Sequence, residues 1–199
     1  MRRIVDIVVA SVALAVLSPL LAAIMLAVFI SSPGNPFYGG RRAGKDGRNF
    51  RMWKFRTMVH GAAKMGPITG KNDPRVTPLG RLLRKTKLDE LPQFFNLLLG
   101  DMTLVGPRPE SPEIVALYTP SQRVVLAVKP GLTGKVQLDS GDESENIPEG
   151  VQPYYYYLTH LMDRKLRMDL DYLRGRTVFT DVKIVLATAG LIFRAVARR

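Results

Sequence analysis

The sequence predicts an α-rich α+β fold with little sheet, fastened to a membrane by its N-terminus. Three observations carry that prediction. Residues Ile4 to Ile30 are almost wholly apolar, with Asp6 as their only charge. One strand pair is signalled, around Asp46-Gly47, and the clearest remaining patterns are helical, at Leu79 to Arg84, Asp89 to Leu99 and Thr180 to Arg199. The 199 residues make one domain or slightly more, enough to bury a core. Lys and Arg number 29 against 17 acids, a formal charge of +12 with a pI near 10.2, which points to an anionic partner: nucleic acid, anionic lipid or a phosphorylated substrate. With no cysteine and only His60 and His160, disulfides and Cys/His zinc sites are excluded.

The apolar run is long enough for a membrane helix, but Ser18-Pro19 lies near its middle, and a proline there is expected to kink or break the helix. The first limb, Ile4 to Ser18, is then roughly 22 Å long, short of a hydrocarbon core of about 30 Å. Arg2 and Arg3 flank one end, and Arg41, Arg42, Lys45, Arg48 and Arg51 follow the other, so both ends are expected on the cytoplasmic side. The reading is a re-entrant helical hairpin over residues 1–32, broken at Ser18-Pro19, with a kinked spanning helix as its rival. A cleaved signal peptide is disfavoured, because the run is too long and no small-residue cleavage site follows cleanly.

After Ser31-Ser32-Pro33-Gly34-Asn35-Pro36 the composition becomes that of a soluble domain, residues 33–199. Gly39 to Asp46 nearly spells a phosphate-binding P-loop, but Asp46 stands where Ser or Thr is needed. Asp46-Gly47 reads better as a hairpin turn between Phe37-Tyr38 and Phe50 to Phe55. Fourteen Lys and Arg lie between Arg41 and Lys87, Lys64 and Lys71 among them, against Asp46 and Asp73. No recognisable nucleic-acid module accompanies them, and they adjoin a membrane segment, so an anionic lipid surface is preferred to nucleic acid. Leu79 to Arg84 reads as an interfacial amphipathic helix or as a helix packed on the core with a basic outer face.

Lys85-Thr86-Lys87-Leu88-Asp89-Glu90-Leu91-Pro92-Gln93 places two adjacent carboxylates after a run of cations. Because Pro92 cannot sit deep in a helix, Asp89 is the expected N-cap, with the helix running from Glu90 to a stop at Gly100. The helix dipole and Arg84, Lys85 and Lys87 would favour an ionised carboxylate, as a nucleophile or metal ligand needs. Alone, the pair would be no more than a cap. In Gly106-Pro107-Arg108-Pro109, prolines on both sides fix the backbone of Arg108, which suits a guanidinium that grips phosphate, and equally a stiff surface turn. Asp139, Asp142, Glu143, Glu145 and Glu149 read as a solvated acidic loop. Tyr154 to Tyr157 read mainly as core, and Thr180 to Arg199 as an amphipathic helix lying on a membrane or packed on the domain.

Lys54-Phe55-Arg56-Thr57-Met58, Arg75 to Arg84, Lys87 to Gln93, Gly100 to Pro109 and Lys129-Pro130-Gly131-Leu132-Thr133-Gly134 together resemble the bacterial sugar transferases called monotopic phosphoglycosyl transferases. The likeness runs from the N-terminal segment to near Ile184. It implies transfer of a sugar 1-phosphate from a UDP-sugar to a polyprenyl phosphate such as undecaprenyl phosphate, with release of UMP, at the cytoplasmic face of the bacterial inner membrane. It also implies a re-entrant helix broken at Ser18-Pro19, Asp89 as a nucleophile that takes the phosphosugar covalently, and Glu90 as a holder of Mg²⁺. Arg108, between Pro107 and Pro109, would lie near substrate phosphate, and Lys54, Arg56 and Arg84 fall in matching motifs as substrate-binding residues. Lys135 to Glu143 depart from the Trp-Ala-Gln-Val-Asn-Gly-like run of many relatives, so the sugar is not named. Outside the resemblance, a non-catalytic basic membrane adaptor and a membrane-tethered nucleic-acid-binding protein are the other readings.

Overall fold

The computed structural model describes residues 2–62, 68–70, 72–140 and 146–197, with residues 140 and 192–197 described in backbone only. Lys64, Lys71, Asp142, Glu143, Glu145, Arg198 and Arg199 lie outside the described residues. The fold is mostly helical, as expected, with two separate two-stranded sheets among the described residues.

Helix α1 spans Arg2–Ser31 and is long and apolar enough to cross a membrane, with most of its surface exposed. Pro19 stands inside this helix, whose helical backbone runs on through the expected break. A proline at position 19 cannot serve the carbonyl of Ala15, four residues back. The Ser18 hydroxyl donates to that oxygen at 2.8 Å, so the Ser-Pro pair loses a backbone hydrogen bond and supplies its substitute. The buried residues of α1 fall at its ends, Asp6 and Ala10 near one and Ile24 and Val28 near the other. Asp6 accepts from the Leu104 N–H at 2.8 Å and the Thr103 hydroxyl at 3.0 Å. Ile24 and Val28 pack with Phe55 and Leu83. Both ends therefore rest on the same domain, while Val12, Val16 and Leu20 between them are exposed.

Strands β1 (Phe37–Ala43) and β2 (Asn49–Phe55) form the expected antiparallel hairpin. Asp46 and Gly47 have φ of 56° and 73°, and Arg48 N–H donates to Lys45 O at 3.1 Å, the turn geometry that an Asp-Gly pair favours between twisted strands. Helix α2 (Pro78–Lys85) is capped by Thr77, whose Oγ accepts from Gly80 N–H at 2.9 Å. It buries Leu83 against the core and leaves Leu82 exposed, so it packs on the domain with a mixed apolar and basic outer face.

Helix α3 (Gln93–Leu99) stops at Gly100, φ 89°, as expected. Its burial is mixed: Gln93 and Asn96 are buried with Leu97, while Phe95 and Leu99 are exposed. Asn96 explains half of this. Its Oδ1 accepts from Trp53 N–H at 2.9 Å and its Nδ2 donates to Arg51 O at 2.6 Å, so one side chain serves the open edge of β2 as a neighbouring strand would. Strand β3 (Thr103–Val105) pairs in parallel with β4 (Gly131–Thr133). Between them lies α4 (Pro112–Val115), capped by Ser111.

Helix α5 (Lys135–Ser140) carries Asp139, paired with Lys135. Helix α6 (Pro153–Tyr156), a wide turn over Tyr157–Leu161 and α7 (Met162–Arg174) run on from one another, burying Tyr157 and leaving Tyr155 exposed. Helix α8 (Val178–Ala197) buries Ile184 against Val105 and Tyr172, while Val178, Phe179, Val182 and Leu186 are exposed. Its inner face is thus packed on the domain and its outer face is apolar.

Asn96→Ala leaves a partly buried N–H and C=O on β2 without their protein partner and is expected to cost about 2 kcal/mol. Equilibrium unfolding in detergent, followed by Trp53 fluorescence, measures the loss; a stability unchanged within error would refute the strand-like role of Asn96.

Candidate active site

Two carboxylates meet three segments of chain at the start of α3. Lys87 adopts a left-handed conformation, φ 58°, and turns the chain from α2 into a tight 3-10 turn over Leu88–Glu90. Leu88 and Leu91 pack onto the cluster of Ile24, Val28, Phe55 and Leu83, drawing this turn into the protein. The helix proper begins only after Pro92, so Asp89 is not its N-cap. The apolar anchors on either side of the carboxylates set the start of the helix, and Asp89 is carried inward until 5% of it is exposed.

Glu90 is clamped. Its Oε1 accepts from Lys54 Nζ at 2.6 Å and from Arg108 Nη2 at 2.9 Å. Lys54 comes from β2, and Arg108 from the loop after β3, where Gly131 N–H donates to Pro107 O at 2.9 Å and Gly106 N–H donates to Thr133 O at 3.0 Å. A side chain on Gly106 would meet Lys129 O at 2.8 Å, so this approach of loop to strand needs glycine. Burial acts to raise the Glu90 carboxyl, but the charges and hydrogen bonds of Arg108 and Lys54 prevail and hold it well below the usual range.

Among the described residues Asp89 has no such partners, and its Oδ1 is buried without a hydrogen bond. Burial is the largest influence and pushes its carboxyl up to about 6, against the attraction of Lys54, Arg84 and Lys87 and with the repulsion of Glu90. The expectation that cations and a helix dipole dominate is corrected accordingly: there is no N-cap position, and desolvation outweighs the cations. Above that pH the group is an ionised, unsolvated oxygen, the condition for a nucleophile or ligand.

The other expected residues divide. Arg84 is within electrostatic reach of Asp89 and is oriented by Thr57, its Nε donating to Oγ1 at 2.9 Å. Arg56 turns away, its guanidinium donating to the carbonyls of Ser32 and Pro33 where the chain leaves α1. Ser18 and Pro19 act within α1, remote in sequence from the carboxylates, and Pro107 and Pro109 frame Arg108. Among the described residues no group of three or more His, Cys, Asp or Glu converges. Two carboxylates, one with an unclaimed oxygen, nevertheless suit Mg²⁺, which usually takes one or two protein carboxylates and completes its shell with water and substrate phosphate.

Several residues escaped the sequence reading. Gln93, one turn beyond Asp89, is buried with an unpartnered Nε2. Glu110, adjoining Pro109, accepts from Lys165 Nζ at 2.7 Å and from the Tyr157 hydroxyl, and Lys165 lies 4.7 Å over the Tyr157 ring. This buried cluster ties the Arg108 loop to α7. Its signal was present: Lys165 and Asp169 share the helical stripe of Leu166 and Tyr172, so charges occupy core positions of α7.

The sequence model of the bacterial sugar transferase family matches residues 1–195. The chain is 38% identical over 196 residues to UDP-glucose:undecaprenyl-phosphate glucose-1-phosphate transferase of Escherichia coli strain K12, an alignment of 94% of this chain and 39% of that protein. It is 36% identical to the exopolysaccharide production protein ExoY of Rhizobium meliloti strain 1021, over 94% of this chain and 83% of ExoY. A third relative, undecaprenyl-phosphate galactose phosphotransferase of Salmonella typhimurium, is 34% identical over 98% of this chain and 40% of its own length. The chain thus spans about two-fifths of the E. coli and Salmonella proteins.

Asp89→Asn is expected to stabilise the protein at neutral pH. The native carboxyl, at about 6, lies above the ordinary 3.8, so the native state holds the proton more tightly and stability falls as pH rises from 3.8 through 6. Asparagine carries no charge into the buried site. Melting temperatures should favour the variant by a few degrees at pH 7.5 and converge with the parent below about pH 4; a variant less stable at pH 7.5 would contradict the burial argument.

Proposed function

The chain belongs to the bacterial sugar transferase family, and we propose that it transfers a sugar 1-phosphate from a UDP-sugar to a polyprenyl phosphate such as undecaprenyl phosphate, releasing UMP. The observation that carries the proposal is Asp89, buried with an unpartnered oxygen beside a Glu90 held between Lys54 and Arg108. The relatives named for transfer from UDP-glucose or of galactose to undecaprenyl phosphate support the donor and acceptor classes.

The transfer runs in two steps. An Asp89 oxygen attacks the phosphorus that bears the sugar; the Asp89 O–P bond forms, the P–O bond to UMP breaks, and UMP leaves with the electron pair. A phosphate oxygen of the lipid then attacks the same phosphorus, the bond to Asp89 breaks, and the carboxylate is restored. Division into two steps lets water-soluble UMP leave before the lipid head enters, giving ping-pong kinetics. An anion attacking a diphosphate meets repulsion, which Lys54, Arg84 and Arg108 relieve by setting fixed positive charge around the phosphate oxygens. Arg56 acts from behind, bracing the exit of α1. Glu90 would hold Mg²⁺, which would supply further positive charge to the phosphate oxygens.

The acceptor dictates the membrane anchor. Its phosphate is confined to the bilayer surface, so α1 and the exposed apolar side of α8 keep Asp89 at that depth and raise the local concentration of acceptor. That both ends of α1 rest on one domain supports a re-entrant course with the domain on the cytoplasmic face, in preference to a simple crossing.

UMP release by detergent-solubilised protein with Mg²⁺, polyprenyl phosphate and a panel of UDP-sugars tests the reaction. One donor should release UMP, Asp89→Asn should lower kcat on the order of 10³-fold or more, and the rate should fall as pH drops through about 6, where Asp89 takes up its proton. Wild-type rates in Asp89→Asn, or silence with every donor, would refute the proposal.

A further inference from the structure

The β1–β2 hairpin presents a graded face that the transfer reaction does not use. In the ladder Phe37 is opposite Phe55, Gly39 opposite Trp53, and Arg41 opposite Arg51, and side-chain alternation puts these three pairs on one face. The Phe37 and Phe55 rings stack at 5.3 Å and pack with the exit end of α1. A Cβ on Gly39 would meet the Trp53 ring at 3.1 Å, so the indole lies across the glycine. Arg41 and Arg51 then face one another, both exposed. Like charges directly opposite in a strand pair are destabilising. Neither arginine forms an ion pair among the described residues, although Glu113 is near enough to feel the charge of Arg41. Lys54, which reaches Glu90, belongs to the opposite face by the same alternation, so the two arginines are not part of the phosphotransfer site.

From the phenylalanine pair packed in the core at the exit of α1, the face opens outward to the half-buried Trp53 and then to an exposed arginine pair. At about 3.4 Å per residue, Trp53 stands roughly 7 Å and the arginines roughly 14 Å beyond the phenylalanine pair. The exposed part of that sequence, tryptophan followed by arginines, matches the aromatic belt and phosphate level of a bilayer surface. We propose that this hairpin face seats on the bilayer with Trp53 at the headgroup boundary and Arg41 and Arg51 binding the phosphates of anionic phospholipids, which relieves the repulsion between them. The contact rests on the membrane association proposed above.

Trp53 is the sole tryptophan and reports its own depth. The full chain is reconstituted in vesicles of phosphatidylcholine alone, and of equal parts phosphatidylcholine and phosphatidylglycerol, each carrying lipid brominated near the headgroup end of the acyl chain. Trp53 fluorescence should be quenched in both and more strongly with phosphatidylglycerol. Arg41→Gln/Arg51→Gln should lose the phosphatidylglycerol-dependent part, still float with vesicles and keep its UMP release in detergent. A chain that floats but whose Trp53 is unquenched, or quenched without regard to phosphatidylglycerol, overturns the headgroup contact and leaves the membrane reading standing. Failure to float overturns both. Loss of UMP release in detergent assigns the arginines to substrate instead, and a Trp53 shift produced by duplex RNA but not by anionic vesicles assigns the face to nucleic acid; either result overturns the proposal.

Discussion

Glu90 accepts one hydrogen bond from Lys54 and another from Arg108, and those two bonds hold together segments far apart in the chain: the hairpin, the turn before α3 and the loop after β3. Taking a carboxylate and two cations largely out of water is costly, and short charge-assisted bonds to both cations offset it. The arrangement leaves Asp89 beside the clamp but outside it. One carboxylate is firmly ionised and positions cations. The other keeps an oxygen free at the expense of stability, a division of labour that environment imposes on two adjacent and chemically similar side chains.

Helix α3 carries that geometry to α1. At its C-terminal end, Arg3 of α1 donates to the carbonyls of Leu97 at 2.6 Å and Leu98 at 2.7 Å, satisfying groups that a helix end leaves open and complementing its dipole. In its middle, Asn96 clasps β2, which bears Lys54. Just before its N-terminal end stand Asp89 and Glu90. The position of α1 and that of the carboxylates are therefore coupled through the seven residues of α3. Asp6, one turn after Arg3 at the same end of α1, accepts from Thr103 and Leu104 of β3 and completes the attachment.

What was legible in the sequence was local and chemically forced. Asp46-Gly47 announced its turn because few other pairs tolerate two positive φ values, and Gly100 announced the end of α3 for the same reason. Asp89 and Glu90 were found as a pair, but with Arg84, Lys85 and Lys87 as their cations; Lys54 and Arg108, expected at substrate, are the ones that hold Glu90. The start of α3 was misjudged because capping preference is worth about 1 kcal/mol, less than the burial of Leu88 and Leu91 that decided it. Ser18-Pro19 was read for the hydrogen bond that proline removes, without the one that serine restores. Arg56 was grouped with the substrate residues by its motif, yet its partners are backbone carbonyls at the exit of α1. Asn96 and Lys165 act across more than forty positions of sequence, and no local pattern names such partners.

The measurement that bears most directly on the role of Asp89 is the mass of the protein after exposure to Mg²⁺ and its UDP-sugar with the lipid acceptor withheld. A gain equal to one phosphosugar, carried by the peptide containing Asp89 and discharged when polyprenyl phosphate is added, is the predicted result. Unmodified protein under conditions where adding the acceptor starts rapid UMP release would show direct transfer between the two substrates and would contradict a covalent role for Asp89.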